Sequence, residues 1–109
     1  MEMQHQELAS GRWQKLSFAE QMANVGSEVG RALSWRAKNN QAYSRLAFER
    51  ALELLDLTIN SASGFPKLKE LLRIREALAD YFVFSNIYGA TEQFWQEYFL
   101  AFNYAARLN

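Results

Sequence analysis

The residues able to do acid–base, metal or nucleophilic chemistry are few, and their spacing closes most routes. His5 is the sole histidine and cysteine is absent. Thiolate zinc sites and cysteine nucleophiles are therefore excluded. A Ser-His-Asp arrangement would have to take its base from the polar N-terminal stretch. Every arginine follows His5 in the chain, so the Arg-to-His motif of helical-bundle ribonucleases cannot form. Glu28, Glu49, Glu53 and Glu76 offer carboxylates, but none begins the Glu-x-x-His motif of a di-iron bundle. Gly26-x-x-x-Gly30 is not followed by lysine and does not make a phosphate-cradling loop. No cofactor or metal is expected.

What remains is charge among apolar residues. Arg75 is bracketed by Leu71, Leu72, Leu78 and Ala79, and Arg50 falls among Tyr43, Leu46, Leu54 and Leu57. A buried arginine stays charged and requires carboxylate or carbonyl partners. Asn24, Glu28, Arg31 and Trp35 form a polar stripe at spacings of four, three and four. Glu28, Glu49 and Glu53 are the carboxylates expected to meet Arg50 and Arg75. The candidate polar site is therefore Asn24, Glu28, Arg31, Trp35, Arg50, Glu53 and Arg75. It reads either as a salt-bridge network fixing helix register or as an interhelical pocket whose arginines receive an anion. A third reading lets these arginines snorkel to the surface.

The elements that must position these residues are helices. Ser17 and Glu20 form a capping-box pattern, and Phe18, Met22, Val25, Val29 and Leu33 follow at helical spacing. Gly26 and Gly30 weaken this helix but allow a close helix–helix approach. It should end near Lys38, before Asn39-Asn40. A second helix is expected over 41–59. Its apolar arc (Tyr43, Leu46, Ala47, Ala51, Leu54, Leu55, Leu57, Thr58, widened by Phe48, Leu52 and Ile59) leaves only Arg45, Glu49, Glu53 and Asp56 as a polar strip. So wide an arc predicts burial on more than one side, or a face against another chain.

Residues 60–66 read as a turn, with Pro66 suited to the start of a third helix running to about Phe84. Its expected inner face is Leu68, Leu71, Leu72, Leu78 and Phe82. After a loop over 85–90, Thr91 can cap a fourth helix. That helix should turn Phe94, Trp95, Tyr98, Phe99, Phe102, Ala105 and Ala106 inward, leaving Leu100 and Tyr104 outside. Four similar helices on short connections predict an all-α, up-down-up-down four-helix bundle over 17–109, after a polar leader over 1–16. A helical solenoid is the competing architecture, but the chain lacks the self-similarity at ~34 residues that a tetratricopeptide array requires.

The chain's 109 residues suit one domain. Lys+Arg and Asp+Glu are both 12, which argues against a nucleic-acid partner. Lys67, Lys69 and Arg73 cluster near the start of the third helix, balanced by Glu70, Glu76 and Asp80. The N-terminus lacks the pattern of a signal peptide, and no apolar run approaches the ~18 residues of a membrane span. A cytoplasmic location is expected. Leu100, Tyr104 and the wide second helix suggest leftover apolar surface, which predicts a homo-oligomer.

The run GRWQKLSFAEQMANVGSEVGRALSW, with FERALELLDLTI and YFLAFNYAAR further on, resembles a set of small prokaryotic helical proteins. This resemblance implies no activity, substrate or functional residue. At fold level the expected bundle is similar to the helical accessory proteins of diversity-generating retroelements, which are oligomeric and bind nucleic acid; the neutral charge departs from those basic proteins. The expected function is a non-enzymatic helical interaction module, self-associating and binding a partner protein. The alternatives are a small anionic-ligand binder using the arginine/carboxylate site, and a nucleic-acid-associated accessory protein using Lys67, Lys69 and Arg73.

Overall fold

Local sequence decides where each helix begins. The computed structural model describes residues 11–108; the leader's residues 1–10, with His5, and Asn109 lie outside them. The Ser17 hydroxyl accepts from the Glu20 amide (3.1 Å) while the Glu20 carboxylate accepts from the Ser17 amide (2.8 Å). This capping box opens α1, Phe18–Ala37. Asn39, at φ 60°, ends it. Asparagine tolerates that left-handed conformation better than most residues. Asn40 then caps α2, Gln41–Ser61, by accepting from the Tyr43 amide.

Gly64, at φ 90°, and Pro66 start α3, Phe65–Phe82. Thr91 accepts from the Phe94 amide and starts α4, Glu92–Arg107. A short 3-10 turn, Trp13–Lys15, precedes α1. There is no strand among the described residues.

The helices form an all-α four-helix bundle in the expected up-down-up-down order. Cross-helix contacts give the directions. The Ser44 hydroxyl donates to the Ala32 carbonyl across the α1–α2 hairpin. On α2 and α3, Phe48 meets Phe82 and Asp56 meets Arg75. Phe18 meets the edge of Phe102, running α4 back along α1. Helix α1 packs mainly on α2 and α4, and α3 lies against α2.

Gly26 sets the closest part of the α1–α4 contact. A methyl group there would stand 2.7 Å from Phe99 Cβ, while the same addition at Gly30 meets nothing within 4 Å. Only the first of the two glycines serves the close approach.

The core is built from Met22, Val25, Val29, Ala51, Leu55, Leu71, Leu78, Trp95 and their neighbours. Several expected inward faces prove narrower than the apolar pattern. On α3 the buried stripe is Leu71, Ile74 and Leu78, and Leu72 is half exposed. Leu72 lies about 100° around the helix from Leu71, outside the arc α2 covers. Phe94, Tyr43 and Leu46 are likewise half exposed.

The polar N-terminal stretch also contributes to the core. Trp13 is 1% exposed and donates its Nε1–H to Thr58 Oγ1 at 3.1 Å. Gln21 Nε2–H donates to the Trp13 carbonyl at 2.9 Å.

Candidate functional site

The polar residues singled out in the sequence do not converge on one cavity. Asn24 is exposed and donates to the Glu20 carbonyl of its own helix. Glu28 is buried, with Oε1 paired to Arg31 Nη1 at 2.6 Å across one helical turn. Its other oxygen, Oε2, is buried without a hydrogen-bond partner among the described residues. Trp35 stands edge-on to Tyr43, with the Lys38 ammonium 5.1 Å from its ring centroid. Arg50 and Glu53 are half-buried on α2.

Arg75 meets Asp56, not Glu28, Glu49 or Glu53. Its Nε–H donates to Oδ1 at 2.7 Å and its Nη2–H to Oδ2 at 3.3 Å. Arg75 therefore flanks the buried stripe of α3 instead of lying at its centre. The hydrogen bond and charge of Asp56 raise the guanidinium pKa further, against a smaller opposing effect of burial. Both side chains stay more than a third exposed, so the pair is weak in stability terms. Arg75 is a surface clasp between α2 and α3, and Glu28–Arg31 a clasp within α1.

A more concave polar site lies elsewhere. Arg36, Gln41, Ser44, Arg45, Phe48 and Phe82 line a cleft of about 230 Å³ at the end of the bundle, where α1 hands over to α2. Arg36 is held there: Nη1–H donates to the Tyr81 carbonyl at 3.3 Å, and the guanidinium lies 4.7 Å from the Tyr81 ring centroid. Arg45 is exposed on the other wall. In the sequence Arg45 belongs to the polar strip of α2; the α1–α2 turn brings it to the same cleft as Arg36.

The α3–α4 loop is built differently from a mobile linker. The buried Asp80 carboxylate accepts from the Ile87 amide (3.0 Å) and the Tyr88 amide (3.1 Å). Asn86 and Ala90 exchange two further hydrogen bonds. The Tyr88 hydroxyl donates to Glu76 Oε1 at 2.7 Å, and this hydrogen bond is the main cause of its raised pKa. The polar backbone is thus tied down while Phe84 and Ile87 stand 72% and 77% exposed. Asp80, read from sequence as one charge in a solvated balance, is the anchor of this display.

Apolar side chains also remain outside on the helices. Phe65 and Leu72 flank a trough on α3 with Lys69, Arg73 and Glu76. Leu100 and Tyr104 face solvent on α4, as expected. Lys67, from the basic cluster, sits 4.4 Å from the Phe18 ring centroid.

No group of three or more His, Cys, Asp or Glu among the described residues could hold a metal ion. No helix among them is long and apolar enough to cross a membrane. No protein-family model, curated protein or solved structure matches this chain.

Proposed function

We propose that this chain is a non-enzymatic helical interaction module that self-associates and offers a further surface to a partner protein in the cytoplasm. One observation carries the reading: the α3–α4 loop holds Phe84 and Ile87 in solvent on a backbone fixed by the buried Asp80. Exposing large apolar side chains forgoes burial energy of ~1.5–3 kcal/mol each. Holding them on an ordered loop lowers the entropy cost of docking a partner on them. Phe65 and Leu72 on α3, and Leu100 and Tyr104 on α4, add further exposed apolar side chains. Exposed apolar patches mark association sites.

Native mass spectrometry of the full chain over a concentration series tests the reading. Oligomers carrying no small-molecule mass are expected, weakened by the paired substitutions Phe84→Ser and Ile87→Ser or by polar changes on α4. A chain that stays monomeric at every concentration counts against self-association.

Anion binding is the second reading, supported by Arg36 and Arg45 across the bundle-end cleft. Two guanidiniums around one small cleft suit a carboxylate or phosphate. A thermal shift with inorganic phosphate that is lost in Arg45→Ala would favour it over the interaction module. The nucleic-acid reading draws only on Lys69 and Arg73, exposed beside Glu76. It predicts binding that weakens steeply with salt.

A further inference from the structure

Six residues of α4 line one shallow trough of about 450 Å³: Glu97, Leu100, Ala101, Asn103, Tyr104 and Arg107. All six are exposed, with Leu100 at 63% and Tyr104 at 66%. Trp95 and Phe99 take the opposite, buried face of the same helix. The trough is therefore an outward strip with an apolar centre, an acid at one end and a base at the other.

Its order is symmetric about position 102. Glu97 and Arg107 lie equally far to either side, Leu100 and Tyr104 equally far, and Ala101 and Asn103 adjoin the centre. We propose that this strip is a homodimer interface, in which α4 pairs antiparallel with α4 of a second copy about a two-fold axis at that centre. This deepens the reading of the chain as a self-associating module and rests on it.

In that register Leu100 packs across from Tyr104 of the partner copy, and Glu97 faces Arg107, each pairing occurring twice. The charged residues are ten positions apart, or ~15 Å along the helix, so both ion pairs form without disturbing the apolar centre. A parallel pairing would instead set Glu97 on Glu97 and Arg107 on Arg107. An isologous contact requires a patch that is its own complement, and charge order along this strip meets that requirement. Ala101 keeps the centre low enough for two helices to approach.

Glu97 accepts from Gln93 Nε2 at 2.9 Å along its own helix. Neither Glu97 nor Arg107 takes part in an ion pair among the described residues. One helix pair makes a small interface, below the ~1,200 Å² of stable complexes, so micromolar dissociation is expected.

Sedimentation equilibrium of the full chain at low salt tests the pairing through charge complementation. Glu97→Lys sets two bases against each other across the interface, and Arg107→Glu sets two acids together. Each variant alone should associate at least tenfold more weakly than the natural chain, with unchanged helical circular dichroism because both positions are exposed. Mixed one to one, the two variants should form a heterodimer, in which one cross-pair joins two unlike charges from the substituted positions and the other keeps the natural Glu97–Arg107 pair. The double variant should dimerise with itself.

Association unaffected by either single change would overturn the α4 pairing while leaving self-association through another face. A double variant that associates no better than the single ones would also overturn it. A natural chain that is monomeric throughout would remove both this pairing and the self-association it rests on.

Discussion

Single side chains settle how the N-terminal stretch joins the bundle. The Thr58 hydroxyl accepts from Trp13 Nε1–H and donates to the Leu54 carbonyl at 2.9 Å, so it is used in both roles within the core. Thr58→Val keeps the shape but leaves a buried indole N–H unpaired, which costs ~1–3 kcal/mol. In a Trp13→Phe background the same change should cost much less. Urea denaturation of the four chains in this cycle measures the coupling; equal costs in both backgrounds would show that the bond adds nothing. Gly26 and Gly30 make a second contrast. Gly26→Ala drives a methyl into Phe99 Cβ, an atom next to the backbone that cannot swing aside. A net loss of ~1–3 kcal/mol is expected. Gly30→Ala enters open space and should gain up to ~1 kcal/mol of helix propensity. Similar thermal stability for both variants would contradict the packing difference.

At the scale of elements, capping was legible because it is local. Ser17 with Glu20, Pro66 after Gly64, and Thr91 all mark helix starts within a few residues of chain. The Glu20 carboxyl pKa is lowered by the Ser17 amide and then the Ser17 hydroxyl, both inside that box. Helix ends set by longer-range bonds were less legible. Helix α3 stops at Phe82, short of the expected Phe84, where Asp80 gathers the chain beyond it: its carbonyl accepts from the Asn86 amide, six residues on, and its carboxylate from those of Ile87 and Tyr88. Asp80→Ala should therefore loosen the loop without melting the bundle. Amide hydrogen exchange should accelerate at Ile87 and Tyr88, while Val25 and Leu55 keep their protection. Unchanged exchange at both loop amides would show that the carboxylate is not the anchor.

For the whole molecule, the α3–α4 contact brings a pH dependence. The Tyr98 hydroxyl donates to Glu70 Oε1 at 3.3 Å, and its pKa is raised well above the ordinary 10.0 by burial first, then by the charge of Glu70. Folding therefore favours the neutral phenol. This contribution is fully present below the unfolded tyrosine value and is lost as pH rises from there towards the raised folded value. Above about pH 10 the natural chain should lose stability more steeply than Tyr98→Phe. Parallel stability curves for the two chains across the alkaline range would refute the coupling. The two α3–α4 contacts Tyr98–Glu70 and Tyr81–Trp95 also hold the outer strip of α4 in place.

The number of helices, their starts and the all-α class are legible in the chain, because helical periodicity and end signals are properties of neighbouring residues. The sequence also places Leu100 and Tyr104 outside, since α4 has a single richly aromatic face opposite them. Which charges meet depends on how the helices pack. Arg75 pairs with Asp56, 19 positions away, because partners far apart in the chain depend on helix rotation and crossing, and a rotation of one residue position turns a side chain by about 100°. The burial of Trp13 against Thr58, 45 positions away, belongs to the same class. A tryptophan in a polar stretch signals a place to be buried, but its site exists only once α1 and α2 have packed.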